Sequence, residues 1–112
     1  MPRFVPNIGD VVWLTFDPQA GHEQAGRRPA FVLTPREYNE RTGLMLACPV
    51  TSQIKGYPFE VPLPAGSRVE GVILADHIKS LDWKARRAEK IQTAPQSVTA
   101  EVLARLAPLL GI

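Results

Sequence analysis

Residues 10–16 decide the fold, and they read Asp-Val-Val-Trp-Leu-Thr-Phe. Their side chains alternate between two faces, with Val12, Leu14 and Phe16 on one and Val11, Trp13 and Thr15 on the other. Such alternation in a run of β-branched and aromatic residues is typical of a half-buried strand. The segment is therefore predicted to be the first strand of a sheet.

More short strands are expected along the chain, because eleven prolines and eight glycines interrupt it throughout and favour strands joined by turns over long helices. They are predicted at 29–33, 44–50, 59–63, 72–75, 78–81 and 85–91. Residues 35–43 are read as the connection between the second and third strands, with Asn39 and Gly43 as turn formers. Pro49 cannot donate a ladder hydrogen bond, so the strand should end, bulge or lie at an edge there, leaving Thr51 and Ser52 at its exit.

The C-terminal segment has helical periodicity instead. One face would carry Val98, Val102, Leu106, Leu109 and Leu110. Ser97 is the predicted N-cap, Gly111 lies past the end, and Pro108 should kink or fray the last turn. The expected fold class is mainly β (α+β), with about seven mostly antiparallel strands and a C-terminal amphipathic helix.

Length and composition limit the classes of protein to which this chain can belong. The chain has 112 residues, enough for a single domain over 1–112, and 45% hydrophobic residues exclude wholesale disorder. Cys48 is the single cysteine, so no intrachain disulfide can form, and with only His22 and His77 beside it a closed zinc site lacks ligands. We expect no metal. The N-terminus has no apolar signal core and no apolar run approaches about 20 residues, which predicts a cytoplasmic protein.

The net charge of +2 says little about partners, but two segments concentrate charge. Residues 21–29 hold an acid, an amide, an imidazole and two guanidiniums between two predicted strands. Glycines there let the backbone approach a ligand, arginine matches phosphate oxygens, and Glu23 can accept a proton or orient an arginine. His22 is a possible acid or base. The alternative is a solvated loop with a weak ion pair.

The second basic segment is 77–90, with five Lys or Arg against two acidic residues and Trp83 among them. On a strand, Ala85 and Arg87 would share one face and Arg86 the other, so at least one arginine would reach a groove for a single nucleic-acid strand. The alternative is a charged strand that protects a sheet edge. Cys48 lies in an apolar strand and is expected to pack as a small hydrophobe, which disfavours a Cys-His nucleophile.

Several motifs, in order and at matching spacing, resemble those of MazF/PemK-type toxins over nearly the whole chain. They are Gly9-Asp10 with Trp13, Phe16-Asp17-Pro18, Gly21 with 23–26, 28–30, Pro49 with Thr51, 55–61, 71–72, 74–76, 79–80 and Trp83. The resemblance implies an SH3-like barrel of the MazF/PemK/CcdB toxin type and a symmetric homodimer. It also implies metal-independent endonucleolytic cleavage of single-stranded RNA, mostly mRNA, with no cofactor. The implied partner is an antitoxin whose acidic, flexible C-terminal tail covers the RNA groove.

The resemblance also implies roles for individual residues. Arg28 and Thr51 match the family's catalytic pair, with Glu23 as candidate base or Arg-orienting carboxylate. Gln24 and Lys55 are implied RNA contacts, and charge placement adds Lys79 and Arg86. Attack by the substrate's own 2′-hydroxyl would give a 2′,3′-cyclic phosphate and a 5′-hydroxyl end. Arg27 and His22 depart from the pattern of some relatives, so sequence preference does not transfer.

Two other functions remain open at this point. Toxins of a related barrel shape poison DNA gyrase through a C-terminal helix, and fold does not fix function. A non-catalytic SH3-like module that binds RNA or peptide would use the same side chains. The segment from Glu23 to Arg28, together with Thr51, favours the nuclease, because a gyrase-binding helix needs none of them.

Overall fold

Antiparallel strand pairing dominates the structure, a computed structural model that describes residues 4–15 and 26–112. Seven strands and two helices lie in this part of the chain, in the order β1 (Asp10–Thr15), β2 (Arg27–Val32), α1 (Arg36–Thr42), β3 (Leu44–Thr51), β4 (Glu60–Pro62), β5 (Val72–Leu74), β6 (Lys79–Asp82), β7 (Glu89–Thr93) and α2 (Gln96–Leu110). The prediction of a mainly β fold with about seven strands and a C-terminal helix is confirmed. Neither helix is long and apolar enough to cross a membrane.

Strand β3 organises the sheet. The strands follow the order β4-β5-β3-β2-β1-β7, and β6 also pairs with β3. Along one edge β3 pairs with β2; along the other, its residues 44–47 pair with β6 and its last two residues with β5. Strand β3 thus connects β2, β5 and β6 in one sheet.

Pro49 does not end this strand, which continues to Thr51. Both backbone polar groups of Leu46 face β2, because its carbonyl accepts from the Leu33 N–H and its N–H donates to the Thr34 hydroxyl. Alternation therefore turns the nitrogen of Pro49 to the opposite edge. There it falls between the stretch paired with β6 and the stretch paired with β5. The missing N–H costs no ladder hydrogen bond, so the strand can pass through.

The core has two parts. The larger cluster packs α2 residues Val98, Val102 and Leu106 against the sheet and includes Phe31, which is fully buried. The smaller cluster holds Val5, Val12, Leu14, Ala30, Val32, Met45, Ala47, Leu81 and Trp83. Residues 11 and 12 belong to different clusters, as the alternation in β1 predicted.

Residues 35–43, predicted to be a turn, instead contain the short helix α1. Asn39 is fully buried: its amide donates to the Pro6 and Thr34 carbonyls at 2.8 and 2.9 Å, and its own carbonyl accepts from the Trp83 indole at 2.9 Å. Gly43 closes the helix with φ 74°. Asn39 and Gly43, predicted as turn formers, are thus a core residue and the C-cap of a helix.

The helix α2 begins at Gln96, two residues before Val98, where an N-cap at Ser97 would have started it. Pro95 is the N-cap residue, with extended backbone and no side-chain cap hydrogen bond, so the Ser97 prediction was wrong. Its carbonyl accepts from the Val98 N–H at 2.9 Å. The helix continues through Pro108 to Leu110, where the Gly111 N–H bonds to the Ala107 and Pro108 carbonyls.

The predicted strand at 85–91 was wrong in its first half. Residues 83–87 form a turn, and β7 starts only at Glu89. The Asp82 carboxylate accepts from the Ala85 N–H at 2.9 Å, and Arg87 adopts a positive φ of 56°. Strand alternation therefore does not apply to Arg86 and Arg87.

Gly71 permits the close approach of β5 to the end of β3. Its φ is 131°, and a Cβ at this position would lie 2.2 Å from the Thr51 carbonyl oxygen. We predict that Gly71→Ala lowers the free energy of unfolding by about 2–4 kcal/mol, because the clash adds to the backbone strain. Urea denaturation measures it.

Gly66→Ala is the matched control, because Gly66 also has a positive φ, 87°, but open space around it. It should cost only about 1–2 kcal/mol, the backbone contribution alone. Equal losses in the two variants would show that the contact with Thr51 is not tight.

Cys48 is buried, and its thiol donates to the Ala75 carbonyl at 3.6 Å. Burial, with a smaller contribution from the negative charge of Asp76, raises the pKa of this thiol to about 12. Because the thiolate is the reactive form, we predict negligible reaction with an aromatic disulfide reagent in the folded protein at mildly alkaline pH. Reaction should become complete in guanidinium chloride. Fast labelling of the native protein would contradict this.

Candidate active site

Arg28 and Thr51 come from neighbouring strands and face each other. In the β2–β3 pair Ala30 lies opposite Pro49, and continuing that register by two residues sets Arg28 opposite Thr51. Opposite side chains of an antiparallel pair share a face, with Cβ atoms about 5 Å apart. Arg28 is exposed and Thr51 half-buried. The two residues predicted to act together are therefore neighbours across the sheet.

They line a common open cleft of about 380 Å³. Its described walls consist of Arg28, Pro29, Val50, Thr51, Ser52, Gln53 and Glu70. A guanidinium, two hydroxyls, an amide and a carboxylate thus surround one space. This is a polar surface suited to a charged, hydrogen-bonding ligand.

Thr51 is held at its side chain and at its backbone. Its hydroxyl oxygen accepts a hydrogen bond from the Gln53 N–H at 3.1 Å, and Gly71 packs against its carbonyl. Since the oxygen is used as an acceptor, the hydroxyl hydrogen is available to donate into the cleft. Thr51 is therefore presented as a donor at a fixed position.

A second pocket, of about 180 Å³, adjoins the cleft. It is lined by Thr51, Gln53, Lys55, Tyr57, Glu60, Leu74 and His77. Thr51 and Gln53 line both spaces, so the two lie side by side, and together they are called the groove. Lys55 and the exposed ring of Tyr57 add a cation and a stacking surface to it.

The segment that carries Lys55 is anchored by a buried carboxylate. Glu60 is 8% exposed and accepts from the Lys55 N–H at 3.1 Å and the Gly56 N–H at 2.9 Å. Further along, the Arg105 guanidinium of α2 donates to the Pro58 carbonyl. The chain from Lys55 to Pro58 is thus fixed in place although its side chains are exposed.

Arg27 has a structural role distinct from that of Arg28. Its guanidinium donates to the Thr15 hydroxyl at 2.5 Å, the Arg87 carbonyl at 2.7 Å and the Glu89 carboxylate at 3.0 Å. It therefore ties the ends of β1 and β2 to the turn before β7. Strand alternation points it away from the face that carries Arg28.

Lys79 and Arg86 lie outside the described lining of these two pockets. Lys79 is exposed and pairs with Ala47, four residues along β3 from Thr51, or about 13 Å at the usual rise per residue. Lys79 and Thr51 share a face. Arg86 sits in the turn 83–87, where its guanidinium donates to the Thr15 carbonyl at 3.4 Å and its carbonyl accepts from the Thr15 N–H.

The remaining predicted residues, Glu23 and Gln24, lie outside the described residues, as does His22. Sequence reasoning did not assign Gln53 or Glu70 to the site. Nothing along the chain marks Glu70, because only the pairing of β5 with the end of β3 brings it to Arg28.

Comparisons with known proteins agree with this architecture. The family model of PemK-like, MazF-like toxins of type II toxin–antitoxin systems matches residues 7–110. The endoribonuclease toxin MazF of Escherichia coli K12 is 49% identical over 109 residues, with 97% of each chain covered. The endoribonuclease PemK of E. coli is 37% identical over 106 residues, covering 91% of this chain and 80% of PemK.

A solved structure gives the same result in three dimensions. A crystal structure of MazE–MazF from Deinococcus radiodurans matches with a TM-score of 0.94 and 63% identity, covering 98% of this chain and 99% of that one. Sequence and fold thus agree over almost the whole length, and the chain belongs to the PemK-like, MazF-like family of toxins of type II toxin–antitoxin systems.

Proposed function

We propose that this endoribonuclease toxin cleaves single-stranded RNA, chiefly mRNA, at short sequences and without a metal ion. The substrate's 2′-hydroxyl attacks the adjacent phosphorus and leaves a 2′,3′-cyclic phosphate and a 5′-hydroxyl end. The meeting of Arg28 and Thr51 in one cleft carries the proposal. Relatives named endoribonucleases over nearly the full chain support it.

Arg28 stabilises the charge that develops on the pentacovalent phosphorane. A guanidinium stays protonated in proteins and offers paired N–H donors that match phosphate oxygens. It therefore supplies charge more readily than it shuttles a proton, although late in the reaction it can protonate the strongly basic leaving oxygen. Its exposed position at the start of β2 lets a phosphate reach it.

Thr51 donates its hydroxyl hydrogen to a non-bridging phosphoryl oxygen. The backbone N–H of Gln53 holds the hydroxyl oxygen in place, so the donor is positioned before substrate arrives. Pre-oriented donors are effective because they need no reorganisation during the reaction. Glu23 is proposed as the base that takes the 2′ proton or as the carboxylate that orients Arg28, on the family resemblance.

The RNA strand runs along the groove beyond the cleft. Lys55 and Lys79 are proposed phosphate contacts on either side of Thr51, Gln24 is proposed from the resemblance, and Arg86 is proposed to bind where β1 ends. Such contacts provide affinity and register more than base specificity.

The proposed partners follow from the same surface. We infer a cognate antitoxin with an acidic, flexible C-terminal tail that lies over the cationic groove and excludes RNA. A MazE–MazF complex is one of the forms in which the D. radiodurans relative was solved. The chain is further proposed to act as a symmetric homodimer of single domains spanning 1–112, in the cytoplasm.

Incubating the purified protein with a long RNA in EDTA tests the reaction. We expect discrete cleavage with cyclic phosphate and 5′-hydroxyl ends. Intact RNA together with inhibited gyrase would instead support a gyrase poison. Retention of intact RNA would support a non-catalytic binding module.

Arg28→Ala should lower the cleavage rate by about 100-fold or more, since losing one transition-state charge donor costs about 3 kcal/mol. Thermal unfolding should change little because the side chain is exposed. Single-turnover cleavage of a mapped oligonucleotide measures the effect.

Arg41→Ala is the control for Arg28→Ala. Arg41 lies on α1, which joins the end of β2 to the start of β3, so it stands at the far end of the β2–β3 hairpin from the cleft. The Arg41→Ala substitution removes the same positive charge as Arg28→Ala. A near wild-type rate for Arg28→Ala would refute the catalytic assignment.

Lys79→Ala should weaken RNA binding and flatten its salt dependence. One phosphate contact fewer changes the slope of log K against log salt by about 0.7 for a single strand. Titrations of a labelled, uncleavable oligonucleotide at several salt concentrations give the slope, with Arg41→Ala again as control. An unchanged slope would remove Lys79 from the groove.

A further inference from the structure

Glu70 brings a carboxylate to the wall of the cleft that holds Arg28 and Thr51. The backbone on both sides of it is fixed. Gly71 packs against Thr51 and accepts from the Leu63 N–H at 3.0 Å, and the Arg68 N–H donates to the Gln92 side chain at 2.8 Å. The position of Glu70 is therefore set by the fold.

A carboxylate is out of place in a groove for a polyanion, because it repels phosphate. Within residues 4–15 and 26–112 the Glu70 side chain has no hydrogen bond or ion pair, so it does not serve to hold Arg28 in position there. An ionised carboxylate only accepts hydrogen bonds. RNA offers it two kinds of donor, the 2′-hydroxyl and the N–H groups of the bases.

The neighbouring side chain of Gln53 favours a nucleobase over the 2′-hydroxyl as the donor to Glu70. Gln53 lies on the same cleft and is placed next to Thr51 by its backbone hydrogen bond. The Gln53 amide can donate through its NH2 group, so the pair of side chains matches a base edge that carries an amino group next to an unprotonated ring nitrogen. Adenine and cytosine have that edge, whereas uracil has no amino group and can offer Glu70 only its single ring N–H. Single-stranded RNA is commonly read through such edges.

We propose that Glu70, assisted by Gln53, reads the base beside the scissile phosphate and selects adenine or cytosine over uracil. This rests on the proposed endoribonuclease function and adds a specificity-determining residue to it. Glu70 is thus a reader of the substrate and takes no part in proton transfer.

The test removes the amino group from the RNA and the carboxylate from the protein. RNA containing the mapped cleavage word, made uncleavable by a 2′-deoxy sugar at the cleaved nucleotide, is compared with RNA in which adenine becomes unsubstituted purine or cytosine becomes 2-pyrimidinone. Wild-type affinity should fall by about 10-fold at one position, the range of a good side-chain–base contact. In Glu70→Ala and Glu70→Gln the same removal should change affinity less than about 2-fold, the mark of coupled partners.

Glu40→Gln is the matched control, since Glu40 is exposed on α1 at the far end of the hairpin and loses the same charge. It should keep the full penalty for amino removal. A penalty that persists in both Glu70 variants would overturn the assignment, as would a cleavage word with neither adenine nor cytosine beside the cleaved bond.

Three results separate the proposals. Uniform loss of cleavage on every sequence in Glu70→Gln, with affinity unchanged, would place the carboxylate on the 2′-hydroxyl and refute base reading. A wild-type protein that neither binds nor cleaves RNA would overturn the proposed function itself. If the wild-type protein cleaves RNA but removal of the amino group costs the Glu70 variants as much affinity as it costs the wild type, only the role of Glu70 is refuted.

Discussion

The pairing of β3 with three strands is the constraint on which the rest of the molecule depends. Its first half bonds β6, its middle bonds β2 and its last residues bond β5. The change of partner falls at Pro49, where an N–H would have no ladder acceptor. Everything that lines the cleft follows from this: Arg28 arrives on β2, Thr51 ends β3, and Glu70 precedes β5.

The strand pattern was largely predictable because it depends on local alternation. Val11 and Val12 separate into the two core clusters as a period of two requires. The errors came where tertiary contacts override local preference. Asn39 has turn propensity, yet its amide and carbonyl bond three segments in the core and stabilise a helix. Residues 85–88 alternate like a strand, but Asp82 bonds the Ala85 N–H and folds them into a turn.

The candidate site was predictable only in part. Arg28 and Thr51 are recognisable from motifs, and the register explains why they meet. The sequence does not show which arginine is available to bind a ligand. Arg27 and Arg28 are adjacent, but they point to opposite faces of the strand. Arg27 makes hydrogen bonds within the protein, and Arg28 lines the cleft. Gln53 and Glu70 carry no local signal, since their place depends on how distant strands pair.

The bonds of Arg27 have a consequence for the stability of this end of the sheet. Thr15 and Arg27 pair as the last partners of β1 and β2, and the guanidinium joins that pair to the turn before β7. Losing this one side chain would therefore loosen the end of β1, the start of β2 and the turn before β7 together. A positive charge that looks like a phosphate ligand in the sequence acts instead as a cross-link within the sheet.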